Sequence, residues 1–195
     1  MKVLKIVLST ILIIAMVVTL ALCYQHTLSA QKGGSIAPAC RITNQSKQFV
    51  IETFGHYETV LDLLQAIENY AAENFQYNHK YQMPLIQDFD FDAFIEAKTG
   101  VCWEFAAFAE CCVVLWSQEK DIPLRSYIVD MRPKSNFSAT HSYNYVIEGN
   151  TIYAFDLTPV TGKRPAWGIH PFTGDSLDDI YAYASRMGEN IYRVN

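Results

Sequence analysis

The sequence predicts an α+β fold in which one buried helix packs on an antiparallel β-sheet, and three observations carry that prediction. From Trp103 to Trp116 nearly every residue is apolar, with only Glu104 and Glu110 charged; a helix apolar almost all round is a buried one. Helical patterns come first and strand patterns follow, a segregation that argues against a parallel α/β fold. Gly149-Asn150 stands between two strand-like runs, which is the signature of a hairpin turn.

Length and composition suit one packed domain with a short extra segment. The chain has 195 residues, of which 50% are hydrophobic and 18% charged, so disorder is excluded as the main state. The formal net charge is −5. No basic stripe is present, which argues against nucleic acid as a partner. The five cysteines (Cys23, Cys40, Cys102, Cys111, Cys112) form no CxxC pair and the five histidines stand singly. No ligand spacing supports a metal site, and no cofactor is implied. The odd, irregular cysteine set is no disulfide scaffold; Cys111 and Cys112 read as core residues, while Cys40 pairs or stays free.

Residues 1–30 read as a transmembrane anchor or signal segment. Lys2 and Lys5 precede an uncharged run from Ile6 to Tyr24, which would span about 28 Å as a helix at about 1.5 Å per residue. The lysines place the N-terminus in the cytoplasm and the remainder outside. The run exceeds the apolar region of an ordinary signal peptide, which favours an uncleaved anchor over cleavage near Ser29 or Ala30. The domain is therefore expected outside the cytoplasm, membrane-anchored through residues 6–24, or secreted if the segment is removed. Residues 31–40, with Gly33-Gly34-Ser35 and Pro38, read as a linker, and residues 41–195 as the domain.

Within the domain, Phe49-Val50-Ile51 suggests a short strand or a lead-in. Val60, Leu64, Ile67, Ala71 and Phe75 recur at helical spacing, predicting a helix from Thr59 to Phe75. Tyr77 to Asp92 is irregular and feeds a short helix ending at Ala97. Asp88, Asp90 and Asp92 lack the glycine and glutamate of a calcium loop and read as a solvated face. The central helix follows, with Thr99 as its cap, Gly100 as a permissive turn residue and Cys102 at its head. Ile122-Pro123 stops it. Arg125 to Met131 reads as a strand and Arg132 to Thr140 as a polar loop. Strands at His141 to Ile147 and Ile152 to Leu157 flank the hairpin turn. Thr161 to Gly174 reads as a loop, Leu177 to Arg186 as a closing helix, and Ile191-Tyr192 as a last strand.

Chemistry concentrates at two places. A cysteine at a helix head meets the positive end of the helix dipole and free backbone N–H groups, which favour a thiolate and can hold an oxyanion. In the hairpin, Gly149 and Asn150 as loop residues set paired numbers to a sum of 299. Tyr143 then faces Asp156, and His141, Tyr143, Asp156 and Thr158 share one face. His141 and Asp156 become diagonal neighbours, at roughly 5.5–8 Å between backbone positions. That suits a base and the carboxylate that orients it. With Cys102 the pair makes a set suited to acyl transfer through a thioester.

The order of these blocks resembles the transglutaminase-like superfamily, the branch of papain-like cysteine enzymes with a Cys–His–Asp triad. The matching segments are Thr99-Gly100-Val101-Cys102-Trp103-Glu104-Phe105-Ala106, Asp121-Ile122-Pro123-Leu124-Arg125, His141-Ser142-Tyr143-Asn144-Tyr145-Val146 and Tyr153-Ala154-Phe155-Asp156-Leu157-Thr158, with Phe75-Gln76-Tyr77 ahead of them. Tyr143, Tyr145 and Asp121 depart from the family's usual Trp, Glu and Gly. The resemblance implies a papain-like, transglutaminase-core fold over residues 41–195. It implies Cys102 as nucleophile, His141 as general base and acid, and Asp156 as orienter, with Tyr77 a candidate oxyanion donor beside the Cys102 backbone N–H. The activity implied is cleavage or transfer of an acyl group from an amide or peptide bond, with a protein, peptide or cell-wall substrate. A catalytically silent, surface-displayed binding module is the alternative. Oligomeric state is not legible in the sequence.

Overall fold

In the computed structural model, residues 40–78, 88–134, 140–158 and 168–194 are described. The predicted membrane segment, residues 6–24, lies outside them, as do most of the predicted linker and the tip of the 132–140 loop. Among the described residues no helix is long and apolar enough to cross a membrane.

The element order is β1 (Cys40–Arg41), α1 (Asn44–Phe54), α2 (Val60–Asn74), β2 (Gln76–Tyr77), β3 (Phe89–Asp90), α3 (Phe91–Ala97), β4 (Thr99–Gly100), α4 (Cys102–Lys120), β5 (Arg125–Pro133), β6 (His141–Glu148), β7 (Thr151–Asp156), β8 (Gly168–Thr173), α5 (Leu177–Arg186) and β9 (Glu189–Val194). Strands β5 to β9 form one five-stranded antiparallel sheet in the order β8-β7-β6-β5-β9. The fold class is α+β, as the order of patterns predicts.

Helix α4 is buried from Cys102 to Ser117 apart from Glu104, because both sides of it are occupied. Aromatic and aliphatic residues of α1, α2 and α3 cover one side, including Phe54, Leu63, Leu64, Ile67, Phe91 and Phe94. The sheet covers the other through Ile128, Val146, Tyr153 and Phe155. The opposite sheet face carries Val129, Tyr143, Tyr145, Ile147, Ile152 and Ala154 and is closed by Ile180 of α5. Burial on both faces explains why β6 is apolar or buried at nearly every position rather than alternating.

The hairpin register holds: the pairs run from Asn144 with Phe155 to Glu148 with Thr151, each summing to 299. Helix α2 begins at its Thr59 cap, which accepts from the Asp62 N–H. Helix α5 has the predicted bounds and starts at the Ser176 cap, which accepts from the Asp179 N–H.

Several expectations are corrected. Phe49-Val50-Ile51 lies inside α1 rather than in a strand. Thr43 caps that helix reciprocally with Ser46, and Ser46, Val50 and Phe54 bury at helical spacing. The stretch from Gly168 to Thr173 is strand β8, not loop. It pairs with β7 at the sheet edge, where Pro171 is tolerated without a donor N–H. Thr99 does not cap α4; it sits in β4, and Val101 is the cap residue, with its N–H held by the Glu104 carboxylate at 2.9 Å. The aspartates of 88–92 are not a uniformly solvated face. Asp90 caps α3, and Asp92 accepts from Thr43 and Ser46 at 2.6 and 2.7 Å. Helix α4 stops at Asp121, one residue before Ile122, in the left-handed region at φ 53°, which accounts for glycine being the usual residue there.

Candidate active site

The sulfur of Cys102 lies at the first residue of α4, only 4% exposed. Two short strands set its position. The parallel pairing of β2 with β4 matches Tyr77 to Gly100, and the Asn78 N–H donates to the Gly100 carbonyl at 2.7 Å. Gly100 is required for room rather than for a turn conformation, since it has no positive φ. A Cβ there would stand 2.7 Å from Phe94 Cε2 and 2.9 Å from Glu104 Oε2. The loop ahead of the cysteine is thus pressed against the α4 cap.

His141 enters from the start of β6 and Asp156 from the end of β7. Their side chains meet with His141 Nε2 2.6 Å from Asp156 Oδ2, as the diagonal placement predicts. The second carboxylate oxygen accepts the Thr158 N–H at 2.9 Å, so both oxygens of this buried group are engaged. With Nε2 committed to the carboxylate, Nδ1 is the nitrogen left for the thiol, and His141 and Cys102 stand close enough to shift one another. The imidazole ring stacks on Tyr143 at 6.0 Å between centroids.

Electrostatics follow from this packing. Burial pushes the Cys102 thiol up, but hydrogen bonds and charge from His141, with further bonds from Ser142, outweigh it and hold the thiol below its ordinary range. Burial pulls the His141 imidazolium down, yet the Asp156 and Cys102 contacts dominate and raise it to about 10. Opposite shifts in two touching groups favour a thiolate–imidazolium pair at neutral pH.

Tyr77 is also brought to the sulfur. Burial, and then the charge of Cys102, push its phenol up to about 12, so it stays neutral and keeps its O–H. The pairing of Tyr77 with Gly100 brings its phenol close enough to Cys102 for the two groups to shift one another. All four residues singled out in the sequence therefore converge.

The sequence reading missed Ser142, which helps hold the Cys102 thiol below its ordinary range. It also missed the Asp130 carboxylate that accepts from Ser142. Asp130 is directly across from Ser142 between β5 and β6, a pairing that no two-residue turn fixes in the sequence. A third missed group, Glu110 of α4, is buried against Ser126 and Asn144.

The sequence profile of the transglutaminase-like superfamily matches residues 47–154 of the chain, which include Cys102 and His141. No curated protein matches by sequence. Among solved structures, the chain is similar to a candidate cysteine protease from Cytophaga hutchinsonii, at 19% identity and a TM-score of 0.46, covering 78% of this chain and 47% of that one. It is also similar to a protein described as a TGase, at 15% identity and a TM-score of 0.41, covering 65% of this chain and 37% of that one. The chain thus spans less than half the length of each of these two solved structures.

Proposed function

The chain belongs to the transglutaminase-like superfamily, and we propose that it is a cysteine-dependent enzyme that takes an acyl group from an amide or peptide bond as a thioester on Cys102. The observation that carries this reading is the line from a thiol at a helix head to an imidazole whose far nitrogen is 2.6 Å from a buried carboxylate.

In the proposed reaction the Cys102 thiolate attacks the carbonyl carbon. Its oxygen becomes an oxyanion, held by the Cys102 N–H and the Tyr77 O–H. The His141 imidazolium donates its proton to the departing amine as the C–N bond breaks, leaving an acyl-thioester. The now neutral imidazole takes a proton from the acceptor, which attacks the thioester and releases the thiolate, restoring the thiolate–imidazolium pair. Asp156 fixes the ring orientation and steadies the imidazolium throughout. Water suffices as the acceptor, so hydrolysis is the reading adopted; a primary amine would give transfer by the same steps. The substrate class is a protein, peptide or cell-wall amide. The uncharged run 6–24 behind Lys2 and Lys5 supports display outside the cytoplasm.

Intact-protein mass spectrometry after mixing with a p-nitrophenyl ester of a short N-capped peptide tests the thioester step. The expected result is one acyl adduct, mapped to Cys102, absent in Cys102→Ala and discharged by water or by added primary amine. A protein that stays unmodified under conditions where free cysteine reacts would leave only a silent binding module.

A further inference from the structure

A row of three polar side chains runs across the sheet and ends at the reactive sulfur. Ser142 on β6 pairs directly with Asp130 on β5, and Asp130 pairs directly with Arg193 on β9. The Ser142 hydroxyl donates to Asp130 Oδ1. Arg193 donates to Asp130 Oδ2 through its Nε and terminal nitrogen. The Asp130 side chain is 1% exposed and that of Arg193 is 42% exposed. The pairing of β5 with β9 shifts register just after Asp130, the kind of irregularity that re-aims a side chain next to a site. At the inner end, Asn144, two residues further along the same face of β6, donates to the Ala106 carbonyl one turn after Cys102, which sets Ser142 beside the head of α4, where it favours the Cys102 thiolate. Nothing in the triad chemistry requires this row.

We propose that Ser142 is a further donor to the Cys102 sulfur, and that Asp130 and Arg193 are positioning residues that set how much of its hydroxyl the sulfur receives. The proposal rests on reading Cys102 as the nucleophile. A serine hydroxyl has one proton, and here two anionic acceptors compete for it, the Asp130 carboxylate and the Cys102 thiolate. While the sulfur is acylated and neutral, the proton goes to Asp130. When the thiolate is regenerated, the hydroxyl turns toward the sulfur, and Asp130 retains its two bonds from Arg193. Arg193 lowers the pull of Asp130 on the serine and offsets its charge beside the thiolate.

Other titratable groups border the sulfur too. His141 from β6 and Tyr77 from β2 act on it, and Asp156 of β7 stands behind the imidazole. Glu104, in the first turn of α4, is committed to the Val101 N–H. None of these is altered by substitutions in the row.

The row makes a prediction of sign that loosened packing does not. Removing the hydroxyl (Ser142→Ala) raises the pH midpoint of Cys102 alkylation, by about one pH unit for one lost hydrogen bond to the anion. Arg193→Gln, at the exposed end, also raises it, because Asp130 then competes harder and its charge is less offset. Asp130→Asn lowers it by releasing the hydroxyl and removing a negative charge. Combining Ser142→Ala with Asp130→Asn separates these two causes, since the hydroxyl's share of the downward shift is lost in the double variant.

The test is iodoacetamide alkylation of the full chain across pH, resolved at Cys102 by peptide mass spectrometry, with thermal melts recorded on each variant. Opposite signs for Arg193→Gln and Asp130→Asn, with a smaller downward shift in the double variant, support the proposal. An unmoved midpoint in a folded Ser142→Ala protein overturns it, as does the same direction of shift in all three single variants. Should Ser142→Ala fail to fold, Ser142→Thr keeps the hydroxyl and the two remote variants still decide by sign. A wild-type Cys102 with an ordinary thiol midpoint would count against the enzymatic reading. The differences between variants would still judge the row.

Discussion

At the scale of the residue, the site depends on which atom each side chain presents. His141 spends Nε2 on Asp156, so the carboxylate fixes which nitrogen meets the thiol. Asp156→Asn should keep the volume but replace an anionic acceptor by an amide, and steady-state acyl turnover is expected to fall about 100-fold or more. A rate within threefold of wild type would show that the carboxylate does not orient the ring. Tyr77→Phe isolates the phenol. Loss of one oxyanion donor should slow acylation by about 100-fold while the alkylation of Cys102 by iodoacetamide, which builds no oxyanion, changes far less. Equal losses in both reactions would assign Tyr77 to holding the thiol rather than the oxyanion.

At the scale of the element, the head of α4 and the hairpin are what bring these atoms together. Gly100→Ala pushes a Cβ to 2.7 Å from the Phe94 ring and 2.9 Å from the Glu104 carboxylate that holds the Val101 N–H. The expected cost is about 1–3 kcal/mol in urea unfolding, with a parallel loss of Cys102 reactivity as the cap shifts; unchanged stability would mean that the loop has slack. How legible these elements were in the sequence depended on where their signals lay. The hairpin was legible because a two-residue turn fixes every pairing that follows, and the buried helix because it lacks a polar face. Helix α1 was not, since Phe49-Val50-Ile51 favours a strand locally and its cap box uses Ser46 instead of an acid. Strand β8 was hidden by Gly168 and Pro171, which an edge strand tolerates. The triad was legible from one register, whereas the Ser142–Asp130–Arg193 row needs three strands and a register shift, which no local pattern encodes.

At the scale of the whole molecule, α4 and the sheet must hold Cys102 and His141 in register, and Glu110 is the polar group between these two layers. It accepts from Ser126 of β5, and Asn144 of β6 bonds both the Ala106 carbonyl, at 3.0 Å, and Glu110, at 3.4 Å. Complete burial pushes the Glu110 carboxyl up to about 7, against the downward pull of those hydrogen bonds. The folded state then holds this proton more tightly than the unfolded chain. Its contribution to stability is complete below about pH 4.5, declines as pH rises toward about 7, and is flat above; the total is roughly 3 kcal/mol. Glu110→Gln should remove that slope from the difference between the two proteins' urea-unfolding free energies. Parallel curves for wild type and variant between pH 4.5 and 7.5 would mean that Glu110 is ionised in the fold.

Whether Cys102 is a poised thiolate is read most directly by site-resolved iodoacetamide alkylation across pH, in wild type and in His141→Ala. A thiolate–imidazolium pair requires Cys102 to react faster than Cys40, Cys111 and Cys112 at neutral pH, with a midpoint well below about 8.5, and to lose that advantage when the imidazole is removed. Equal or slower labelling of Cys102, or a midpoint unmoved in His141→Ala, would contradict it.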